Sequence, residues 1–197
     1  IVGVADRVPG KEETKLGSDA DRIIDAAGLH IFPGLIDAHC HFDEPGYANR
    51  EGIYTGSCSV AASGVTTYLD HPISNIPPMV NAEALEAKRE ASARNAVVDY
   101  GIVGGVTPDN LQDMEGMHSW GAAAFKAFMS KSAIEYVDDM ALLRAIDRVA
   151  QLDSVILLHA ENQAICTLLA EKNAAAGRTT LADFVASRPI LSETESV

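Results

Sequence analysis

Residues 31–41 read Ile-Phe-Pro-Gly-Leu-Ile-Asp-Ala-His-Cys-His, an apolar run interrupted by Pro33-Gly34 and closed by two histidines one residue apart. In an extended strand, side chains at i and i+2 share a face, so His39 and His41 point one way and Cys40 the other. Two imidazoles presented together suit a divalent metal, with the thiol excluded. A bare His-x-His pair is read equally well as two satisfied polar residues at a strand end. Its position nonetheless decides between folds. A doubly wound nucleotide-binding sheet favours a glycine-rich phosphate loop after its first strand, whereas a (β/α) barrel carries its chemistry at the C-terminal ends of its strands.

Working outward, short runs rich in Val, Ile, Leu or Phe alternate with longer amphipathic ones, the pattern of βα units feeding a parallel sheet. The expected strands are 31–39, 65–70, 97–103, 123–129 and 155–160, with onsets roughly every 30 residues as βα units require. Helices are expected over 50–62, closed by Gly64, then 82–95, 109–118, 138–152 and 161–176, the last closed by Gly177. Ahead of them, 1–4 and 22–26 read as short strands around a polar stretch, 9–21. The expected architecture is α/β: residues 1–30 form part of a small β-sandwich-like domain, and 31–197 form a TIM barrel with about strands one to five present. Eight units typically need about 250 residues, so the chain reads as a fragment.

Composition narrows the function classes. The 197 residues hold 28 acidic against 15 basic side chains, a net charge of −13, and 47% are hydrophobic. There is no basic footprint for nucleic acid or for an anionic membrane. An anionic small substrate is still compatible, since a metal reverses the local field. Three cysteines, Cys40, Cys58 and Cys166, are too few and scattered for a disulfide framework, which fits a reducing cytoplasm. No apolar run approaches the ~20 residues needed to span a bilayer.

Two more strand ends carry candidate ligands. His159 closes Val-Ile-Leu-Leu-His, either as a metal ligand or as a hydrogen-bonded core histidine. Lys126 sits inside Ala-Ala-Phe-Lys-Ala-Phe-Met, where burying an ammonium is costly unless it is paired or altered. It is either salt-bridged to a carboxylate inside the barrel or a reactive neutral amine that takes up CO2 to become a carbamate, an anionic oxygen ligand. Asn75, at the barrel face after strand two, is either a contact to a ring carbonyl or a turn residue. Asp37 either orients a ligand or caps its strand. His71 could line the pocket, although loop histidines are more often solvated. His30 and His118 read as surface residues, and Trp120 and the methionines as packing.

The run 32–46, Phe-Pro-Gly-Leu-Ile-Asp-Ala-His-Cys-His-Phe-Asp-Glu-Pro-Gly, resembles the signature of cyclic amidohydrolases, the group of dihydroorotases, allantoinases and hydantoinases or dihydropyrimidinases. The likeness extends through Gly64-Val65-Thr66-Thr67, Phe125-Lys126-Ala127-Phe128-Met129 and His159-Ala160-Glu161-Asn162. It implies a (β/α)8 barrel with two divalent metals, commonly zinc: His39 and His41 on the more buried ion, Lys126 bridging as its carbamate, and His159 on the second. It implies that a metal-held hydroxide attacks the ring amide carbon while the metals stabilise the oxyanion. The family's strand-six histidine and strand-eight aspartate, the proton shuttle, have no counterpart in 1–197, so this stretch alone is expected to be inactive. The family resemblance also implies a homo-dimer or homo-tetramer.

Substrate choice rests on finer likenesses. Dihydroorotases resemble this chain but place an arginine where Asp43 stands, and hydantoinases place a tyrosine where Lys131 stands. Allantoinases are similar in residues 125–130, Phe-Lys-Ala-Phe-Met-Ser, and in Pro77-Pro78. The expected activity is thus opening of allantoin to allantoate, a step of purine catabolism, with Asp43, Asn75 and Ser130 facing the substrate. A hydantoinase-like or dihydroorotase-like enzyme is the alternative. A non-enzymatic, dihydropyrimidinase-related scaffold is a third reading, disfavoured because all four expected ligands are kept.

Overall fold

A computed structural model describes Arg22 and residues 24–197, which fall into two compact units divided between Pro33 and Gly34. In the first unit, the expected strand 1–4 lies outside the described residues, and Arg22 and 24–26 are not in a strand. The described part of that unit turns at Ala27-Gly28, where Leu29 N–H donates to Ala26 O at 2.9 Å.

The second unit is a run of βα units. Strands β1 (Leu35–Cys40), β2 (Val65–Asp70), β3 (Asp99–Gly105), β4 (Ala124–Phe128) and β5 (Ile156–His159) pair in parallel, in the order β1-β2-β3-β4-β5. Sequential order is decisive. A doubly wound sheet reverses direction at a switch point, whereas an unbroken sequence is how a barrel is laid down. The five strands and their helices form part of such a barrel.

The helices are α1 (Ile53–Ala62), α2 (Ala82–Asn95), α3 (Met114–Trp120), α4 (Asp139–Gln151) and α5 (Gln163–Ala175), followed by the short α6 (Leu181–Ala186) and α7 (Ile190–Thr194). Their starts are chemical. The side chains of Asn81, Asp138 and Asn162 accept N–H bonds from Ala84, Ala141 and Ile165, satisfying donors that the first helical turn leaves free. α3 ends at Gly121, whose φ of +110° a side chain would resist.

The observed boundaries differ from the expected ones for local reasons. β1 begins after Pro33-Gly34 because a Cβ on Gly34 would lie 2.2 Å from Thr66 Oγ1, so only glycine permits this approach to β2. α1 starts at Ile53, since Arg50 N–H closes a turn onto Tyr47 O at 2.8 Å. The third helical segment opens as a 3-10 turn, Leu111–Asp113, before α3. Sequence reading placed no element beyond Gly177, where α6 and α7 stand.

Alternation along β4 sets out the layers. Phe125 and Ala127 belong to the main core cluster with Leu85, Met114, Met117 and Val149 under the helices, and Lys126 falls on the opposite, inner face. All five β4 residues are buried. Every helix in the described residues is too short or too polar to cross a membrane.

Candidate metal centre

The ends of β1, β4 and β5 converge on one cavity of about 380 Å³, whose lining includes His39, His41, Lys126, Ser130, His159 and Arg188. All four residues expected as ligands are therefore brought together. A larger cleft of about 550 Å³, lined by Glu86, Arg89, Tyr100 and Trp120, holds none of them, and its charged pair is satisfied internally.

On β1, His39 N–H donates to Asp37 Oδ1 at 3.0 Å, so Asp37 takes the strand-capping role. Cys40 turns away and donates its thiol to Leu69 O at 3.4 Å. His41 Nδ1 lies 3.1 Å from His71 O. A carbonyl can only accept, so Nδ1 carries the proton and Nε2 keeps its lone pair for a metal. Burial, then the neighbouring Lys126 ammonium, hold His39 below its ordinary range, with Asp37 acting in the opposite sense. Burial likewise lowers His41, against the hydrogen bond to His71. Both imidazoles are thus favoured in the neutral form that metals bind.

Lys126 is 3% exposed. Burial lowers its pKa, and no other cause contributes. The described residues offer its side-chain nitrogen no carboxylate and no hydrogen bond; Nζ lies 5.2 Å from the centroid of the Phe128 ring. The salt-bridged reading of this lysine finds no partner among them. Nor do they gather three or more His, Cys, Asp or Glu side chains that could hold an ion by themselves. A centre here needs the lysine, and a buried, unpaired amine with a depressed pKa has the chemistry to be carboxylated into a ligand. The donor set fits a divalent metal on that condition.

Around His159, Glu161 is the organising carboxylate. Its Oε2 accepts from Arg188 Nη1 at 2.5 Å and Ser130 Oγ at 2.9 Å, and lies 3.4 Å from His159 Nε2. Burial raises its pKa, but the donated bonds from Arg188, Ser130 and His159 outweigh it and hold the carboxyl at about 2. Of the expected substrate contacts, Ser130 lines the cavity. Asp43 and Asn75 are buried outside its lining: Asp43 ion-pairs with Arg50 at 3.3 Å, and Asn75 Nδ2 donates to Phe42 O at 3.2 Å and Glu44 O at 3.4 Å.

Sequence reasoning undervalued His71 and assigned no role to Glu161 or Arg188. His71 is 1% exposed and stacks on His39, with ring centroids 4.1 Å apart and planes 26° apart. Its Nε2–H donates to Ala38 O at 2.9 Å. The available signal was its place one residue past β2, matching the place of His41 after β1. Arg188 reaches the cavity through the α6–α7 connection, which no strand-end argument covers.

A family model described as dihydro-orotase-like matches residues 28–184. An allantoinase of Rubrobacter xylanophilus is 39% identical over 199 residues, covering 100% of this chain and 44% of that protein. An allantoinase of Bacillus velezensis is 38% identical, covering 96% and 41%. Among solved structures, an L-hydantoinase (dihydropyrimidinase) from Arthrobacter aurescens superposes with a TM-score of 0.88 at 34% identity, over 93% of this chain and 41% of that one. The chain spans less than half the length of these relatives. With the match running across both the β1 histidines and His159, the chain belongs to the dihydro-orotase-like family of cyclic amidohydrolases, near the allantoinases in sequence.

Proposed function

We propose that this chain supplies the first metal-holding part of a cyclic-amide hydrolase that opens allantoin to allantoate. The observation that carries the reading is the convergence of His39, His41, His159 and an unpaired, buried Lys126 on one cavity. His39 and His41 would hold one divalent ion, taken as zinc, His159 would hold a second, and Lys126, as its carbamate, would be a ligand to both. Bound there, such ions supply Lewis acidity and a nucleophile at neutral pH. The chain's own residues do the rest. The His71 carbonyl fixes the His41 tautomer. Glu161 collects Arg188 and Ser130 beside His159, and the buried sheet face keeps water from competing around Lys126.

The allantoinase relatives favour allantoin, and the hydantoinase superposition favours a hydantoin or dihydropyrimidine ring as the second reading. Elemental analysis of the full-length hydrolase purified without chelators, paired with ring-opening assays on allantoin, hydantoin, dihydrouracil and dihydroorotate, separates them. About two metals per chain with allantoin turnover is the expected result. Turnover of another ring moves the substrate and keeps the chemistry, while absence of metal after supply of zinc and bicarbonate overturns the centre and favours a scaffold.

A further inference from the structure

Outside the cavity, the most completely buried charges belong to Lys88 on α2 and Asp70 at the end of β2, both 0% exposed. Lys88 Nζ ion-pairs with Asp70 Oδ2 at 2.6 Å and donates to Phe42 O and Glu44 O, each at 2.6 Å. An ammonium has three protons, and here it meets three oxygens. Asp70 Oδ1 accepts the Phe42 N–H at 3.2 Å, so the pair grips Phe42 at both its N–H and its carbonyl.

The gripped segment begins one residue after His41. The next residue of β2's exit, His71, completes the attachment: its N–H donates to Cys40 O at 2.9 Å, its carbonyl accepts from His41 Nδ1, and its ring donates to Ala38 O. Every residue from Ala38 to Glu44 except His39 and Asp43 is therefore bonded to Asp70, His71, Lys88 or another group of the β2–α2 unit, and His39 is stacked on His71. A buried ion pair is a poor source of net stability, because desolvation offsets the attraction. It is a good source of fixed geometry.

We infer that Lys88, through Asp70 and the Phe42 and Glu44 carbonyls, is a positioning residue that holds the His39–His41 strand end in metal-binding geometry. The inference rests on the reading that these histidines bind metal. Groups behind metal ligands tune affinity by about 10–100-fold, and that is the loss expected when this clamp is removed.

The test uses the intact protein. Lys88→Met alone leaves a buried, unpaired carboxylate and risks misfolding, so the main variant is Lys88→Met with Asp70→Asn, which removes both charges. Zinc affinity is read by chelator competition, and amide hydrogen exchange over 38–44 is read in the metal-free protein. The expected outcome is a melting temperature close to wild type, exchange at 42–44 faster by tenfold or more, and zinc bound about 10–100-fold more weakly. Unchanged exchange and unchanged zinc affinity overturn the inference. Wild-type protein that binds no zinc overturns the metal reading instead, and the exchange measurement still judges the clamp. A measurement on wild type alone covers the case of an unfolded variant: the Lys88 ammonium resonance should shift on zinc titration, and an unmoved resonance counts against the coupling.

Discussion

Lys126 shows how one residue can be worth more to function than to folding. Its ammonium is buried without a described partner, so converting it to an apolar side chain leaves no orphaned charge behind. With metal removed from both, Lys126→Met should melt within about 1–2 kcal/mol of wild type, or above it, and when zinc and bicarbonate are supplied only wild type should take up metal. Thermal melts paired with elemental analysis check this, and a collapse of stability would restore the salt-bridged reading. His71 gives the pH dependence. Burial lowers its pKa to about 4 from 6.5, despite the bond to Ala38 O, and protonating the ring would place a proton on Nδ1, which has no partner among the described residues. The unfolded chain then binds the proton more readily between pH 6.5 and 4, so stability rises with pH across that window and is lost on acidification. The loss is on the order of 3 kcal/mol, at 1.36 kcal/mol per pH unit. Denaturant melts of metal-free protein at pH 7 and pH 4.5, with His71→Asn as control, measure it.

At the scale of elements, α1 and the loop after β1 approach too closely at Gly56 to admit a side chain. A Cβ on Gly56 would lie 2.1 Å from Phe42 Cε1, and Phe42 is 5% exposed with its backbone gripped by Asp70 and Lys88. Gly56→Ala must push the ring or the helix, an overpacking that costs about 1–3 kcal/mol. Because the displaced residue adjoins His41, zinc affinity should fall with it; a stability loss with unchanged affinity would separate the loop from the centre. Elements were largely legible in advance. β2 and α2 match the expected ranges residue for residue, because Val-Thr-Thr-Tyr-Leu-Asp and a long helix-forming run after Asn81 carry strong local signals. α6 and α7 were not, since six- and five-residue helices hold too little periodicity to be read.

For the molecule as a whole, β1 and β5 are the outer strands of the five-stranded sheet, and their side chains are far more open than those of β4. Ile36 is 68% exposed, and Phe184, Ile190 and Leu191 on the last two helices are 57%, 79% and 62% exposed. Apolar groups this exposed beside open strand edges favour association. The 197-residue chain on its own should bind a dye such as ANS and sediment as associated species at micromolar concentration; a dye-silent monomer would refute this.

The parallel βα order, the shared face of His39 and His41, the anomaly of Lys126 in an apolar strand and the candidacy of His159 are all legible in the order of residues. All of these follow from short-range periodicity and from the cost of burying charge. Which groups meet is a matter of packing. It put Asp43 onto Arg50 and away from the cavity, brought Arg188 to Glu161 from 27 residues away, stacked His71 on His39, and set Lys88 on α2 against Asp70 and the Phe42 carbonyl. The signal for Lys88 was faint: a lysine on the same helical face as Leu85, Ala91 and Ser92, a spacing that marks a buried stripe without naming its partner. Apart from Asp43 and Arg50, seven residues apart, these partners lie 18 to 46 residues apart, and no local pattern encodes them, because their distance is set by how strands and helices pack.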